Sequence, residues 1–183
     1  MAMNRQRLHS LAHLISKSTM EVDGVVVSFD MSEIMTMHPD EGDGCGTAGC
    51  IAGWAAVASG LEPYEVLETH GVANVARDWL GLDRSKGSEL FFLQKHNDDM
   101  LTFLEYVNRR ARQEGIVDDG KDLDVWQLYN SVTPEMAAAV LYNLAETGKV
   151  DWCKYAELST EPKLWEILRD IPVQLKSPGT RAV

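Results

Sequence analysis

Apolar residues recur at helical spacing along most of the chain, and this pattern predicts a mainly α protein. The first such stretch covers residues 5–17, where Leu8, Leu11 and Ile15 would share one face. The clearest helix follows Thr133, a residue whose hydroxyl can cap a helix N-terminus. Similar patterns predict helices over 47–60, 63–69, 72–80 and 99–113, and a short last helix in the segment KLWEILRDI.

One short segment has a pattern typical of a strand. Val25, Val26, Val27 and Phe29 are β-branched or aromatic and follow a glycine. Its candidate partners elsewhere in the sequence are weak. We therefore predict a mainly α, compact multi-helix single domain over 1–175, with at most a small β-hairpin near residues 22–37 and a loose C-terminal tail over 176–183.

The segment DGCGTAGCIAGWAA, residues 43–56, has the most unusual composition in the chain. Small residues dominate it from Thr47 onwards, and Gly49 and Gly53 would lie one turn apart on a helix. Glycine destabilises a helix interior by about 0.5–1 kcal/mol relative to alanine. That cost is reasonable if a neighbouring backbone packs closely there. We favour a tightly packed central helix in which Cys50 is a small buried residue.

Two chemical alternatives remain open for the same segment. Cys45 would precede a helix N-terminus, whose unpaired N–H groups favour a thiolate, and a nucleophile of this kind needs a histidine base such as His70 or His96. A metal site would combine Cys45 and Cys50 with His38, but structural zinc sites usually need a second compact pair of ligands. We expect no metal and lean against an enzyme.

The string CGTAGCIAGWA, residues 45–55, resembles a motif of small bacterial and phage proteins with the form C-G-T-x-x-C-I-x-G-x-A. The resemblance extends to the segment LGLD at 80–83, to Leu90 with Phe91, and to the segment 133–152. Because no activity comes with this motif, the resemblance assigns no role to any residue. It implies a protein encoded by a phage or a mobile element.

Composition and charge narrow the classes of function. The chain has 183 residues, is 45% hydrophobic and 25% charged, and carries a formal charge of −11. Nucleic-acid binding relies on clustered Lys and Arg, so this acidic balance argues against it. No apolar run reaches the roughly 20 residues of a membrane-spanning helix, and we expect a cytoplasmic protein without a signal peptide. Phosphate-loop and dinucleotide motifs are absent from the sequence, so we expect no cofactor.

The acidic segment DDGKDLD at 118–124 lacks the ligand spacing of a calcium loop. We interpret Asp118, Asp119 and Asp122, with the neighbouring Trp126, as a surface that binds a basic protein partner. The sequence therefore predicts a non-enzymatic interaction protein that inhibits or modulates a host protein. The alternative is a cysteine-dependent hydrolase or transferase that uses Cys45.

Overall fold

The computed structural model describes residues 2–22, 24–31, 36–38, 46–68, 71–91, 100–116 and 125–169. The helices are α1 (Arg5–Ile15), α2 (Ile51–Ala58), α3 (Pro63–Glu68), α4 (Val72–Leu80), α5 (Arg84–Phe91), α6 (Met100–Gln113), α7 (Val125–Asn130), α8 (Pro134–Thr147) and α9 (Pro162–Arg169). A 3-10 helix, Cys153–Leu158, precedes α9. The predicted mainly α fold class is confirmed.

The β strands form one mixed sheet in the order β1-β2-β4-β3. They are β1 (Thr19–Val22), β2 (Val25–Phe29), β3 (Thr36–His38) and β4 (Gly46–Gly49). β1 and β2 make an antiparallel hairpin, β2 runs parallel to β4, and β3 runs antiparallel to β4. The strand predicted at 25–29 is confirmed. The sheet is larger than the hairpin expected near 22–37, because two further strands join it.

The helix expected from Thr47 begins four residues later, at Ile51. Residues 46–49 pair instead with β2 and β3, and Gly49 lies opposite Phe29. Glycine is a poor helix former, so backbone pairing with two neighbouring strands outweighs the helical pattern here. The proposed pair of helix glycines one turn apart is therefore wrong, since only Gly53 lies in the helix.

Helix α2 is the centre of the core. All of its residues from Ile51 to Val57 are buried, and Trp54 is fully so. It packs mainly against α4, and also against α1, α3, α5 and β4. Several of its residues are Ala or Gly, and these small residues allow neighbouring elements to approach closely. The indole N–H of Trp54 donates to the carbonyl of Ser28 at 3.2 Å and so attaches α2 to β2.

Helices α1 and α8 form a second packed pair. The stripe predicted on α1 is confirmed, since Leu8, Leu11 and Ile15 are fully buried. The hydroxyl of Thr133 caps α8 by accepting from the backbone N–H of Met136 at 3.1 Å, as expected. Helix α8, which the sequence predicts most clearly, thus provides the surface on which α1 packs.

The N-terminal segment passes closely over the end of α4. Gly81 ends this helix in the left-handed conformation, with φ of 67°. The backbone N–H of Asn4 donates to the carbonyl of Leu80 at 2.9 Å. A Cβ atom on Gly81 would collide with the carbonyl oxygen of Ala2, so glycine is required here by both conformation and space.

We predict that Gly81→Ala destabilises the protein more than Gly148→Ala does. Both glycines end a helix with positive φ, but a Cβ atom on Gly148 meets nothing within 4 Å. The left-handed conformation costs about 1–2 kcal/mol in each variant. The collision at Gly81 adds about 1–3 kcal/mol. Urea denaturation measures both variants, and equal free energies of unfolding would contradict the close approach of the N-terminal segment.

Candidate functional site

Most of the residues that the sequence analysis named for chemistry or binding lie outside the described residues. His38 and Trp126 belong to β3 and α7, but their side chains are also outside the described part. The residues wholly outside it are Cys45, His70, His96, Asp118, Asp119 and Asp122. The cysteine-dependent enzyme and the binding role of the acidic segment therefore stay predictions.

Cys50 is the one member of the proposed cysteine sites whose surroundings are described. It occupies the N-cap position of α2, between β4 and the helix, and its side chain is only 4% exposed. Burial raises the pKa of the Cys50 thiol, and the backbone N–H groups of Gly53 and Ala52 offset only part of that rise. Since the thiolate is the reactive form, this thiol is poorly suited to nucleophilic chemistry.

The neighbours of Cys50 also disfavour its ionisation. The negative charge of Asp30 raises the thiol pKa further. Burial, followed by the proximity of Cys50, raises the pKa of Tyr129 to about 12, so the phenol stays protonated near neutral pH. Within the described ranges, no group of three His, Cys, Asp or Glu side chains is placed to hold a metal ion. Cys50 thus acts as a small core residue at the start of the central helix.

Two neighbouring clefts lie where α6, α7 and α9 meet. The α6–α9 cleft, of about 240 Å³, is lined by Arg110, Glu114, Ile116, Lys163, Glu166 and Ile167. The α7–α9 cleft, of about 230 Å³, is lined by Ile116, Gln127, Asn130, Ser131, Thr160, Glu161 and Leu164. Ile116 lines both clefts, and the acidic segment 117–124 follows it directly in the chain. The clefts are therefore adjacent in sequence to the residues predicted to bind a partner.

A buried hydrogen-bond network around Ser131 shapes the α7–α9 cleft. The Ser131 hydroxyl accepts from the indole N–H of Trp165 and donates to the carbonyl of Leu128, both at 2.8 Å. The Ser131 carbonyl accepts from the Ser159 hydroxyl at 2.8 Å and from the Thr160 N–H at 3.1 Å. Because these groups satisfy one another, the network fixes the end of α7 against the segment that leads into α9.

Three exposed carboxylates lie beside this network. The Thr133 hydroxyl donates to the carbonyl of Leu158 at 2.7 Å, and this bond places residues 157–161 alongside the start of α8. We use the name acidic rim for Glu135, Glu157 and Glu161, three exposed residues near this contact: Glu157 and Glu161 flank Leu158 in the chain, and Glu135 follows Thr133 in the first turn of α8. Leu158 is itself 37% exposed. Glu161 also lines the α7–α9 cleft, so this residue links the rim to the cleft.

The sequence analysis did not identify the acidic rim. Glu157 and Glu161 are close in the chain, but Glu135 lies well before them, and hydrogen bonds between residues 131–133 and 158–160 help to bring the two segments together. Trp152 is buried. Its indole N–H donates to the Glu89 carbonyl at 3.0 Å, and its ring contacts that of Trp165. Trp152 is therefore a core residue.

Comparison with known proteins adds no further assignment. No family model, curated protein or solved structure matches the chain, so the resemblance carried by residues 45–55 stays a prediction. In the described part of the chain, no helix has both the length and the apolar character needed to cross a bilayer.

We predict that Cys50 reacts slowly with iodoacetamide in the native protein. In a Cys45→Ser background, where Cys50 and Cys153 remain, the half-buried Cys153 should be alkylated first. The raised pKa keeps the Cys50 thiol protonated at neutral pH, and burial blocks access to it. Peptide mass spectrometry measures both rates, and urea should make them similar. Equal rates in the native state would mean that Cys50 is accessible.

Removal of the Ser131 hydroxyl should destabilise the protein. In Ser131→Ala, the buried indole N–H of Trp165 loses its acceptor, which costs about 1–3 kcal/mol. The control Ser10→Ala changes an exposed position on α1, and its effect should stay within about 0.5 kcal/mol. Thermal unfolding compares the two variants. An effect of Ser131→Ala as small as that of the control would show that the network is not a stabilising element.

Proposed function

We propose that this protein is a non-enzymatic binding protein whose acidic rim and α7–α9 cleft bind a basic segment of another protein. The observation that carries the proposal is that the exposed Glu161 lines the cleft, while the hydrogen bond from Thr133 to the Leu158 carbonyl brings the segment with Glu157 and Glu161 to the start of α8, where Glu135 lies. Interfaces commonly combine a recessed apolar contact with a polar rim. A basic partner would find both on this surface.

Electrostatics support a basic partner. The chain has 28 acidic and 17 basic side chains, so long-range attraction favours positively charged proteins. Near the rim, Lys154 is held by the Asn143 side-chain oxygen at 2.9 Å and lies over the Tyr155 ring. The Lys154 ammonium therefore has partners other than the rim carboxylates. Lys163 lines the neighbouring α6–α9 cleft.

The position of the acidic segment 118–124 in the sequence also favours this surface as the binding site. It follows Ile116, which lines both clefts, and precedes α7, whose residues Gln127 and Asn130 line the α7–α9 cleft. Asp118, Asp119 and Asp122 thus lie in sequence between residues that line the α7–α9 cleft. The resemblance of residues 45–55 to bacterial and phage proteins favours a host protein as the partner, which binding would inhibit or modulate.

Neutralising the rim tests this proposal. We predict that Glu157→Gln/Glu161→Gln weakens the capture of basic proteins from a bacterial lysate by about tenfold, equivalent to about 1.4 kcal/mol. The matched control is Glu21→Gln/Glu146→Gln, which removes the same charge from exposed sites on β1 and α8 and should capture like wild type. Quantitative mass spectrometry of the bound proteins provides the measurement.

Two results would contradict the proposal. One is equal loss of capture in the two double variants, since net charge alone would then explain it. The other is capture that does not weaken when NaCl is raised from about 0.1 to 0.5 M, since contacts between exposed charges are screened at high ionic strength. Thermal unfolding of both variants checks that neither change has disturbed the fold.

A further inference from the structure

The two clefts along α9 share Ile116 but differ in charge. The α6–α9 cleft contains two basic and two acidic side chains, and its Arg110 pairs with Glu114 at 3.1 Å. In the α7–α9 cleft, Glu161 is the one titratable side chain among the described lining residues. Among the described lining residues, the α7–α9 cleft therefore has an excess of negative charge, whereas the charges of its neighbour are balanced.

The remaining lining of the α7–α9 cleft combines apolar and polar residues. Ile116 and Leu164 are apolar, while Gln127, Asn130 and Thr160 carry neutral side chains with oxygen atoms that can accept hydrogen bonds. This combination suits a side chain that has an apolar stem and a positively charged end. The stem would contact Ile116 and Leu164, and the charged end would donate hydrogen bonds to Glu161 and to the neutral oxygens.

The Ser131 network makes this cleft rigid. Both the hydroxyl and the carbonyl of Ser131 are already hydrogen-bonded within the protein. The same network fixes Thr160 through its backbone N–H, and the Glu161 N–H donates to the Ser159 hydroxyl at 3.0 Å. The backbone of Thr160 and Glu161 is thus held in place before binding, which reduces the entropy lost on association.

The size of the cleft favours a single side chain over a metabolite. Its volume is about 230 Å³, and pockets for small-molecule ligands usually measure about 300–1,000 Å³. A shallow site of this size, beside an acidic rim, can hold one residue of a longer segment while flanking residues contact the rim.

We infer that the α7–α9 cleft receives a lysine or arginine side chain from an exposed segment of the partner. This inference rests on the proposed function and makes it more specific. The acidic rim attracts the basic segment, and the cleft then selects a position in that segment where a cationic side chain points inward. Glu161 belongs to both parts and is the residue on which recognition most depends.

Capped tripeptides with one central residue provide the test. Nuclear magnetic resonance of isotope-labelled protein would follow amide shifts during titration with peptides that carry arginine, lysine, citrulline or norleucine. Arginine and lysine should shift the amides of Asn130, Thr160 and Glu161, with a Kd of about 1 mM. Citrulline matches arginine in shape but lacks its charge, so it should bind at least about fivefold more weakly.

Matched variants locate the site. Glu161→Gln should weaken binding of the arginine peptide by about fivefold, whereas Glu166→Gln, in the neighbouring α6–α9 cleft, should leave it unchanged. Equal binding of citrulline or norleucine would overturn the inference, because charge would not be recognised. Shifts confined to other parts of the protein, or equal effects of the two variants, would also overturn it.

The peptide and capture experiments separate a failure of the cleft inference from a failure of the proposed function. If capture depends on the rim but the peptides do not shift the cleft amides, the proposed function stands and the role of the cleft is wrong. If the peptides bind in the cleft but capture is independent of the rim, the cation site stands and the proposed function must be revised.

Discussion

Helix α2 requires that every element around it approach closely, because its residues from Ile51 to Val57 are all buried. A helix without a solvent-facing side cannot be positioned by amphipathic pattern alone. Its small residues allow α1, α4, α5 and β4 to pack around it, and Trp54 fills the remaining space while hydrogen-bonding to β2. Cys50 lies at the entrance to this helix, so its burial follows from the same packing. In the segment with the most unusual composition, the residues from Gly49 to Ala56 are thus all buried.

The candidate binding surface depends on a different interaction. Ser131 ends α7 and joins it to the segment that leads into α9, through hydrogen bonds from Trp165, Ser159 and Thr160. The network holds Thr160, and with it the neighbouring Glu161, beside the end of α7, while the hydrogen bond from Thr133 holds Leu158 at the start of α8. A polar core network therefore helps to determine where surface charge is presented. The same few atoms contribute to stability and shape the candidate binding surface.

Local patterns in the sequence were sufficient to predict several helices and one strand. The bounds of α4 were predicted correctly because glycines flank an apolar stripe, and α8 was predicted from its Thr133 cap. The β4 strand was missed because its Gly and Ala residues are poor strand formers and its parallel pairing with β2 joins segments that are not consecutive in the chain. The rim was missed because Glu135 lies far from Glu157 and Glu161 in the chain, so the three form no local run of charge. The sequence analysis instead selected the nearest local run, at 118–124.

The pairing of α1 with α8 also has a consequence for how the chain is made. The first helix buries Leu8, Leu11 and Ile15 mainly against a helix that is synthesised much later. While the ribosome is still translating the intervening segments, this apolar face lacks its main native partner, since only the smaller contacts with β1, α2 and α4 can form earlier. Nascent chains with such exposed surface bind chaperones or associate with one another. The cellular yield of this protein therefore depends on what covers the apolar face of α1 until α8 has been synthesised.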